Sequence, residues 1–303
     1  MLIDTHAHLY WSDYKQDFDQ VIQRSIDAGV TTIINVGVDV EKSKEALQQV
    51  QGKLANIPGL EAYSTIGIHP HEAIKYTQSI HLSYDRDINV QNNISKDVSE
   101  LEKIYNLNLD KIVAVGECGL DYYFRGLDPS VASLPKDDNK ILQRQLFQAQ
   151  IDLAKKLNLP LIVHCRDDRS QNPENSEAWD EVLKMVEDHP TILHCYSGLP
   201  PTTNRILQTT HLIVSFAGTL TYPKNEYLRE AVKLLPLEKI VLETDCPFLP
   251  PQSKRGTRNE PSSVLEIAQL IADIKGVSLK EVSNQTTINV KKIFNMDPET
   301  SSG

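Results

Sequence analysis

His6 and His8 stand one residue apart at the end of a short apolar run, Leu2-Ile3-Asp4-Thr5. A β-strand sends alternate side chains to the same face, so the two imidazoles would project side by side and could grip one transition-metal ion. The same ending recurs along the chain. Ile112-Val113-Ala114-Val115-Gly116 runs into Glu117, Leu161-Ile162-Val163 into His164, Thr191-Ile192-Leu193 into His194, and Ile240-Val241-Leu242-Glu243-Thr244 into Asp245. A single His at a strand end is usually satisfied by a hydrogen bond, and a lone Asp there often caps a helix. Five strand ends that all carry metal-ligand types are not explained that way. Four imidazoles and two carboxylates are enough for two divalent cations, with Mg, Mn and Zn as the choices. The expected arrangement puts His6, His8 and Asp245 on one ion, His164 and His194 on the other, and Glu117 between them. A bridging carboxylate suits ions about 3.5–4 Å apart. Cys118, Cys165, Cys195 and Cys246 each follow a proposed ligand and should aim away from the ions as small buried residues.

These ends need a scaffold that brings them together. Candidate strands at 2–6, 31–36, 62–68, 111–116, 160–164, 191–194, 211–215 and 239–244 alternate with helix-like stretches near 14–28, 40–50, 95–106, 139–157, 176–188, 201–208, 225–235 and 261–275. Eight strand-then-helix units point to a single (β/α)8 TIM barrel over 1–303, with the active site at the C-terminal ends of the strands. An open doubly wound sheet is the alternative, but no Gly-rich phosphate loop follows the first strand. Residues 76–94 and 125–138 are polar and turn-rich, and read as insertions on the rim beside the site. Extra helices near 278–284 and 286–294 are expected on the outside of the barrel, within a tail of 276–303.

Bulk properties set limits. Hydrophobic residues make up 40 % and charged residues 24 %, as in a soluble protein with a sizeable core. No apolar stretch approaches the roughly 18–20 residues of a membrane span. Asp4 and His6 fall where a signal peptide would need its apolar segment, and four cysteines form no evident disulfide framework, so the chain reads as cytoplasmic. A net charge of −10 argues against a broad duplex-binding surface but leaves room for a locally positive cleft. The reading is of a monomer without membrane contact.

With these residues assembled, the chain resembles the TatD family of metal-dependent hydrolases within the amidohydrolase-like barrels. The matching stretches are Ile3-Asp4-Thr5-His6-Ala7-His8, Gly67-Ile68-His69-Pro70-His71, Gly116-Glu117-Cys118-Gly119-Leu120-Asp121-Tyr122-Tyr123, His164-Cys165-Arg166, His194-Cys195-Tyr196-Ser197-Gly198, Glu243-Thr244-Asp245-Cys246-Pro247 and Arg255-Gly256-Thr257-Arg258-Asn259-Glu260-Pro261. The resemblance implies the ligand set His6, His8, Glu117, His164, His194 and Asp245. It also implies a metal-dependent DNase, a 3′→5′ exonuclease on single-stranded DNA ends. D-aminoacyl-tRNA deacylation at the same site is an alternative, and a non-catalytic binding barrel is another. Related amidohydrolases often bridge their metals with a carboxylated lysine, where this chain offers Glu117.

The roles expected of the residues follow from that chemistry. A metal-activated water would attack phosphorus, with Asp245 accepting its proton and Glu117 bridging the ions. His69 would orient the scissile phosphate or the leaving group. Arg125, Arg166, Arg255 and Arg258, with Lys254, follow strand ends and could hold phosphate oxygens at the rim. Tyr122 and Tyr123 could stack a base, and Glu243 reads as a support for the ligands rather than a ligand itself.

Overall fold

The computed structural model describes residues 1–78, 86–123 and 135–296. Eight strands, β1 (Leu2–Ala7), β2 (Val30–Asn35), β3 (Glu61–Ile66), β4 (Ile112–Asp121), β5 (Leu161–Arg166), β6 (Thr191–Leu193), β7 (Leu212–Phe216) and β8 (Ile240–Leu242), lie side by side in sequence order. Every pairing is parallel. A bridge between Ala7 and Cys246 joins the last strand to the first, so the sheet curls into a nearly closed barrel. The helices that follow the strands are α1 (Phe18–Asp27), α2 (Val40–Gln51), α3 (Arg86–Asn106), α4 (Lys136–Leu157), α5 (Glu177–Met185), α6 (Pro200–Leu207), α7 (Glu226–Leu234), α8 (Val264–Lys275) and α9 (Leu279–Ile293).

Strand alternation divides the core into two layers. On β5, Leu161 and Val163 pack outward against the helices, whereas Ile162 points into the barrel with Ile34, Ile192 and Val241. Two residues beyond Ile162 on the same face stands His164, so the strand that fills the barrel also lifts an imidazole to its mouth. β6 does the same with Ile192 and His194. On β1 the register shifts between Asp4 and Ala7, and the strand then presents His6 and His8 inward around the outward Ala7.

Four expectations change. The helix read at 95–106 begins at Arg86, because Val90, Ile94 and Leu101 recur at helical spacing and are all buried. Much of segment 76–94 is therefore helix rather than rim loop, and 79–85 and 124–134 lie outside the described residues. The two short tail helices are one, α9, capped by Ser278, whose hydroxyl accepts from the Glu281 N–H at 3.1 Å. Its first part packs outside the barrel, with Val282 among the apolar residues of α8, as expected, but its second part does not. Val290, Ile293 and the adjoining Phe294 join Ile3 and Ile34 as a plug across the N-terminal end, and Asn289 donates to the carbonyls of Leu237 and Ile240 at 2.7 and 2.8 Å. Lastly, β4 does not end at Glu117 but continues to Asp121. No helix among the described residues is long and apolar enough to cross a membrane.

Candidate metal centre

At the mouth of the barrel the side chains converge on Glu117. Its Oε2 lies 3.3 Å from His6 Nε2 and 3.8 Å from His8 Nε2. Its Oε1 lies 3.0 Å from His164 Nδ1, 3.5 Å from His69 Nε2 and 3.6 Å from His194 Nε2. Asp245 Oδ1 completes the first set, 3.4 Å from His8 Nε2 and 3.9 Å from both His6 and His194 Nε2. The structure thus gathers all six predicted ligand positions, and each oxygen of Glu117 faces its own group of imidazoles.

Backbone contacts hold the seam where these residues meet. The Asp245 N–H donates to the His6 carbonyl at 2.9 Å, and the His8 N–H to the Cys246 carbonyl at 2.8 Å. Beneath them the Asp4 carboxylate accepts from the N–H and hydroxyl of Thr244 at 2.9 and 2.6 Å. Two non-glycine residues at strand ends adopt left-handed backbone, Cys195 (φ 44) and Asp245 (φ 57). Such a conformation costs roughly 1–2 kcal/mol per residue. It is held in part by the Cys195 N–H, which donates to Glu243 Oε1 at 2.7 Å.

The donor set fits divalent cations, because the outer contacts fix where the ring lone pairs point. His8 Nδ1 faces the Val36 carbonyl at 2.9 Å, so it carries the hydrogen and leaves the Nε2 lone pair directed at the centre. His194 Nδ1 donates to Glu243 Oε2 at 2.9 Å, with the same result. His164 is reversed. Its Nε2 donates to Asp121 Oδ2 at 3.1 Å, so Nδ1, which faces Glu117 at 3.0 Å, is the nitrogen that would give up its proton and offer a lone pair to a cation. His6 Nε2 lies 3.2 Å from His8 Nε2, while its buried Nδ1 has no partner among the described residues. Lone pairs and carboxylate oxygens at these distances repel one another unless positive charge lies between them.

The electrostatics express the same demand. Burial works against a charged ring at His164, but hydrogen bonds to Asp121 and Glu117 outweigh it and raise the ring to about 10. Burial is likewise outweighed at His194, which the Glu243 and Glu117 charges raise to about 9. Glu117 is held well below the usual carboxylate range, since the surrounding imidazoles overcome the effect of its burial.

His69 differs from the other rings. Its Nδ1 accepts from the His71 N–H at 3.2 Å, so the hydrogen sits on Nε2 and the ring presents a donor to the centre. Although His69, Glu117 and His164 are close enough to hold a cation, this tautomer makes His69 a hydrogen-bond donor rather than a ligand. Burial lowers its pKa well below the ordinary value, which keeps it neutral.

Glu243 is close to His6 and His194, yet its oxygens are taken by His194, Cys195 N–H and Ser215, which gives it the supporting role. Asp121 has no assigned role in the sequence reading. Its Oδ2 accepts from both His164 and, at 2.9 Å, His71, and its Oδ1 accepts from the Tyr123 N–H. None of the four cysteines belongs to a group able to hold a metal among the described residues.

The centre opens into a cleft of about 770 Å³ lined by His8, Trp11, Arg166, Lys224, Asp245 and Phe248 among others. Arg166 is there, stacked 4.0 Å over the ring of Tyr123. Arg125 lies outside the described residues. Arg258 does not reach the cleft. Its guanidinium is held by both oxygens of Asp17 at 2.7 Å and by Glu260 at 3.0 Å, and it covers Tyr14. Arg255 covers Tyr222, which lines the cleft, but does not line it itself. Lys254 turns to Ser263. Tyr122 is buried with its hydroxyl on Glu181 at 2.6 Å, so it offers no face to a base.

The family model described as "TatD related DNase" matches residues 3–295. An uncharacterized metal-dependent hydrolase, YabD of Bacillus subtilis, is 32 % identical over 98 % of this chain and 100 % of its own. The 3'-5' ssDNA/RNA exonuclease TatD of Erwinia tasmaniensis is 28 % identical over 97 % of this chain and 100 % of its own. In three dimensions the chain is similar to YjjV, a TatD homolog from Escherichia coli K12. The TM-score is 0.75 at 24 % identity over 97 % and 98 % of the two chains, a likeness of fold. With that match spanning nearly its whole length, the chain belongs to the TatD family of metal-dependent hydrolases.

Proposed function

We propose that this hydrolase removes nucleotides from single-stranded 3′ ends of DNA at a pair of divalent cations, Mg, Mn or Zn. The observation that carries the reading is the division of Glu117, with Oε2 toward His6 and His8 and Oε1 toward His164 and His194. One ion would be held by His6, His8, Glu117 and Asp245, and the second by Glu117, His164 and His194. When bound, such ions lower the pKa of water from about 15.7 toward about 7 and offset charge on phosphate oxygens. Asp245 is the carboxylate positioned to take the water's proton. The water oxygen bonds to phosphorus as the P–O3′ bond breaks, and the freed O3′ takes up a proton. His69 Nε2–H is the neutral donor that orients the phosphate. Arg166 lies in the same cleft and meets no carboxylate among the described residues, so it is free to pair with a phosphate.

Nucleic acid as substrate is supported by the ssDNA/RNA exonuclease activity for which the Erwinia relative is named. All four cysteines are free, which supports the reading of a protein that acts in the reducing cytoplasm. The test is release of label from 3′-labelled and 5′-labelled single strands and from D-aminoacyl-tRNA, with the metal-loaded wild type and Glu117→Ala. Early loss of the 3′ label, abolished in Glu117→Ala, is expected. Turnover of D-aminoacyl-tRNA alone would transfer the site to ester chemistry at carbon. Equal activity of Glu117→Ala would remove the proposal altogether.

A further inference from the structure

Two aromatic side chains at the cleft have no part in the chemistry described above. Phe248 is 47 % exposed, whereas Phe18, Phe147, Phe216 and Phe294 are each 6 % exposed or less. Leaving a phenylalanine ring in water sacrifices the burial that places the others in the core. Trp11 stands next to it, half-buried, with ring centroids 6.0 Å apart and planes at 78°. Its indole N–H is buried and has no hydrogen-bond partner among the described residues.

Both rings are fixed to the centre by the same device. The Trp11 N–H donates to the His8 carbonyl three residues back, and the Phe248 N–H donates to the Asp245 carbonyl three residues back, at 3.4 and 2.9 Å. Asn259 holds the Phe248 carbonyl at 2.8 Å, Tyr10 stacks behind Trp11, and the Phe248 ring lies 6.1 Å from that of His8. The corner they form is therefore held at a set distance from the side of the centre built by His8 and Asp245. Cations lie over several rings near the mouth: Arg255 over Tyr222, Arg166 over Tyr123, and Lys42 Nζ 5.6 Å from the centroid of Trp11, so Phe248 is the ring of the corner with no cation over it among the described residues.

We infer that Trp11 and Phe248 form a seat for the unpaired base of the terminal nucleotide, flat against one ring and edge-on to the other. This rests on the nuclease reading and extends it to substrate selection. A terminal base in a duplex is paired and stacked on its neighbour, and must be unpaired before it can occupy such a corner, whereas a single-stranded end needs no unpairing. Base recognition by stacking tolerates every base, because each has a π-face.

The test compares a single-stranded oligonucleotide bearing a normal 3′-terminal nucleotide with one whose terminal residue is abasic. Stacking on an aromatic side chain is worth about a tenfold preference or more. In the wild-type enzyme the ratio of kcat/KM, normal to abasic, should therefore be about ten or higher. It should fall toward one in Phe248→Ala and Trp11→Leu, and return in Phe248→Tyr. A parallel binding readout is available, since the chain has two tryptophans and Trp179 is fully buried. Emission from Trp11 should be quenched by a phosphorothioate strand with a normal end and not by its abasic counterpart. Cleavage without discrimination, or equal losses on both substrates in Phe248→Ala, overturns the seat and leaves the nuclease reading standing. Selective quenching without any cleavage does the reverse. Neither cleavage nor quenching overturns both.

Discussion

Asp121 Oδ2 lies 3.1 Å from His164 Nε2, on the side of the ring opposite the nitrogen that faces Glu117. Asp121 is 1 % exposed, and its carboxyl is held far below the usual range. Burial would raise it, but hydrogen bonds from His164 and His71 prevail. A carboxylate in that position fixes the tautomer and direction of the ring, and so decides which nitrogen can meet a cation.

Asp121→Asn should therefore weaken the second cation position while the protein still folds. Partners of metal-binding histidines typically contribute about 10–100-fold in metal affinity or activity. Metal titration followed by 15N NMR of the histidine rings checks this, with a changed tautomer at His164 as the specific sign. Unaltered ring signals together with full affinity would mean that Asp121 does not position His164.

Arg258 should act on stability rather than on catalysis. Hydrogen bonds from Arg258, ahead of those from Arg24, lower Asp17 from 3.8 to about 2. A depressed carboxylate pKa adds stability that is present above pH 4 and is lost as pH falls through the interval down to about 2. Asp17 is about one-third exposed, so screening limits the contribution to about 1 kcal/mol or less. Arg258→Ala should lose that part of the acid dependence between pH 4 and 2 in thermal melts, with oligonucleotide turnover within about threefold of wild type. A large loss of turnover with an unchanged pH profile would return Arg258 to the substrate.

Gly119 tests the fit between β4 and β5. Its φ is 136°, and an added Cβ would collide with the carbonyl oxygen of His164. Gly29 also has positive φ, 86°, but a Cβ there would meet nothing within 4 Å. Gly29→Ala should then cost about 1 kcal/mol, from backbone strain alone. Gly119→Ala should cost at least about 2 kcal/mol and displace His164 as well. Chemical denaturation of both variants, with metal affinity measured beside it, separates the two effects.

The six residues of the centre, Glu117 and the five around it, are legible in the sequence because each closes an apolar run, and strand alternation carries that pattern directly into space. The barrel is legible for the same reason, from eight repeats of strand and helix. Asp121 and Glu243 show how far such reading extends. Glu243 shares the parity of Asp245 and is placed beside it as a support, but Asp121 lies beyond the expected end of β4, so its contact with His164 has no sequence signal. Arg258 illustrates the opposite error. Its position after β8 invites a rim role, while its partners come from Asp17, far away in the chain. Trp11 and Phe248 sit three residues after His8 and Asp245, and that shared spacing was the available clue. The start of α3 is obscured by Asn89, Asn92 and Asn93, poor helix formers on a helix held by its buried apolar face.

The division of Glu117 between two cation positions is tested most directly by metal stoichiometry. Equilibrium dialysis against Mn²⁺, followed by elemental analysis, should find two ions per wild-type chain and one in His6→Ala. His164→Ala should also retain one, and Glu117→Ala should bind both poorly. A wild-type chain that holds a single ion, or the loss of all metal in His6→Ala and His164→Ala alike, would contradict it.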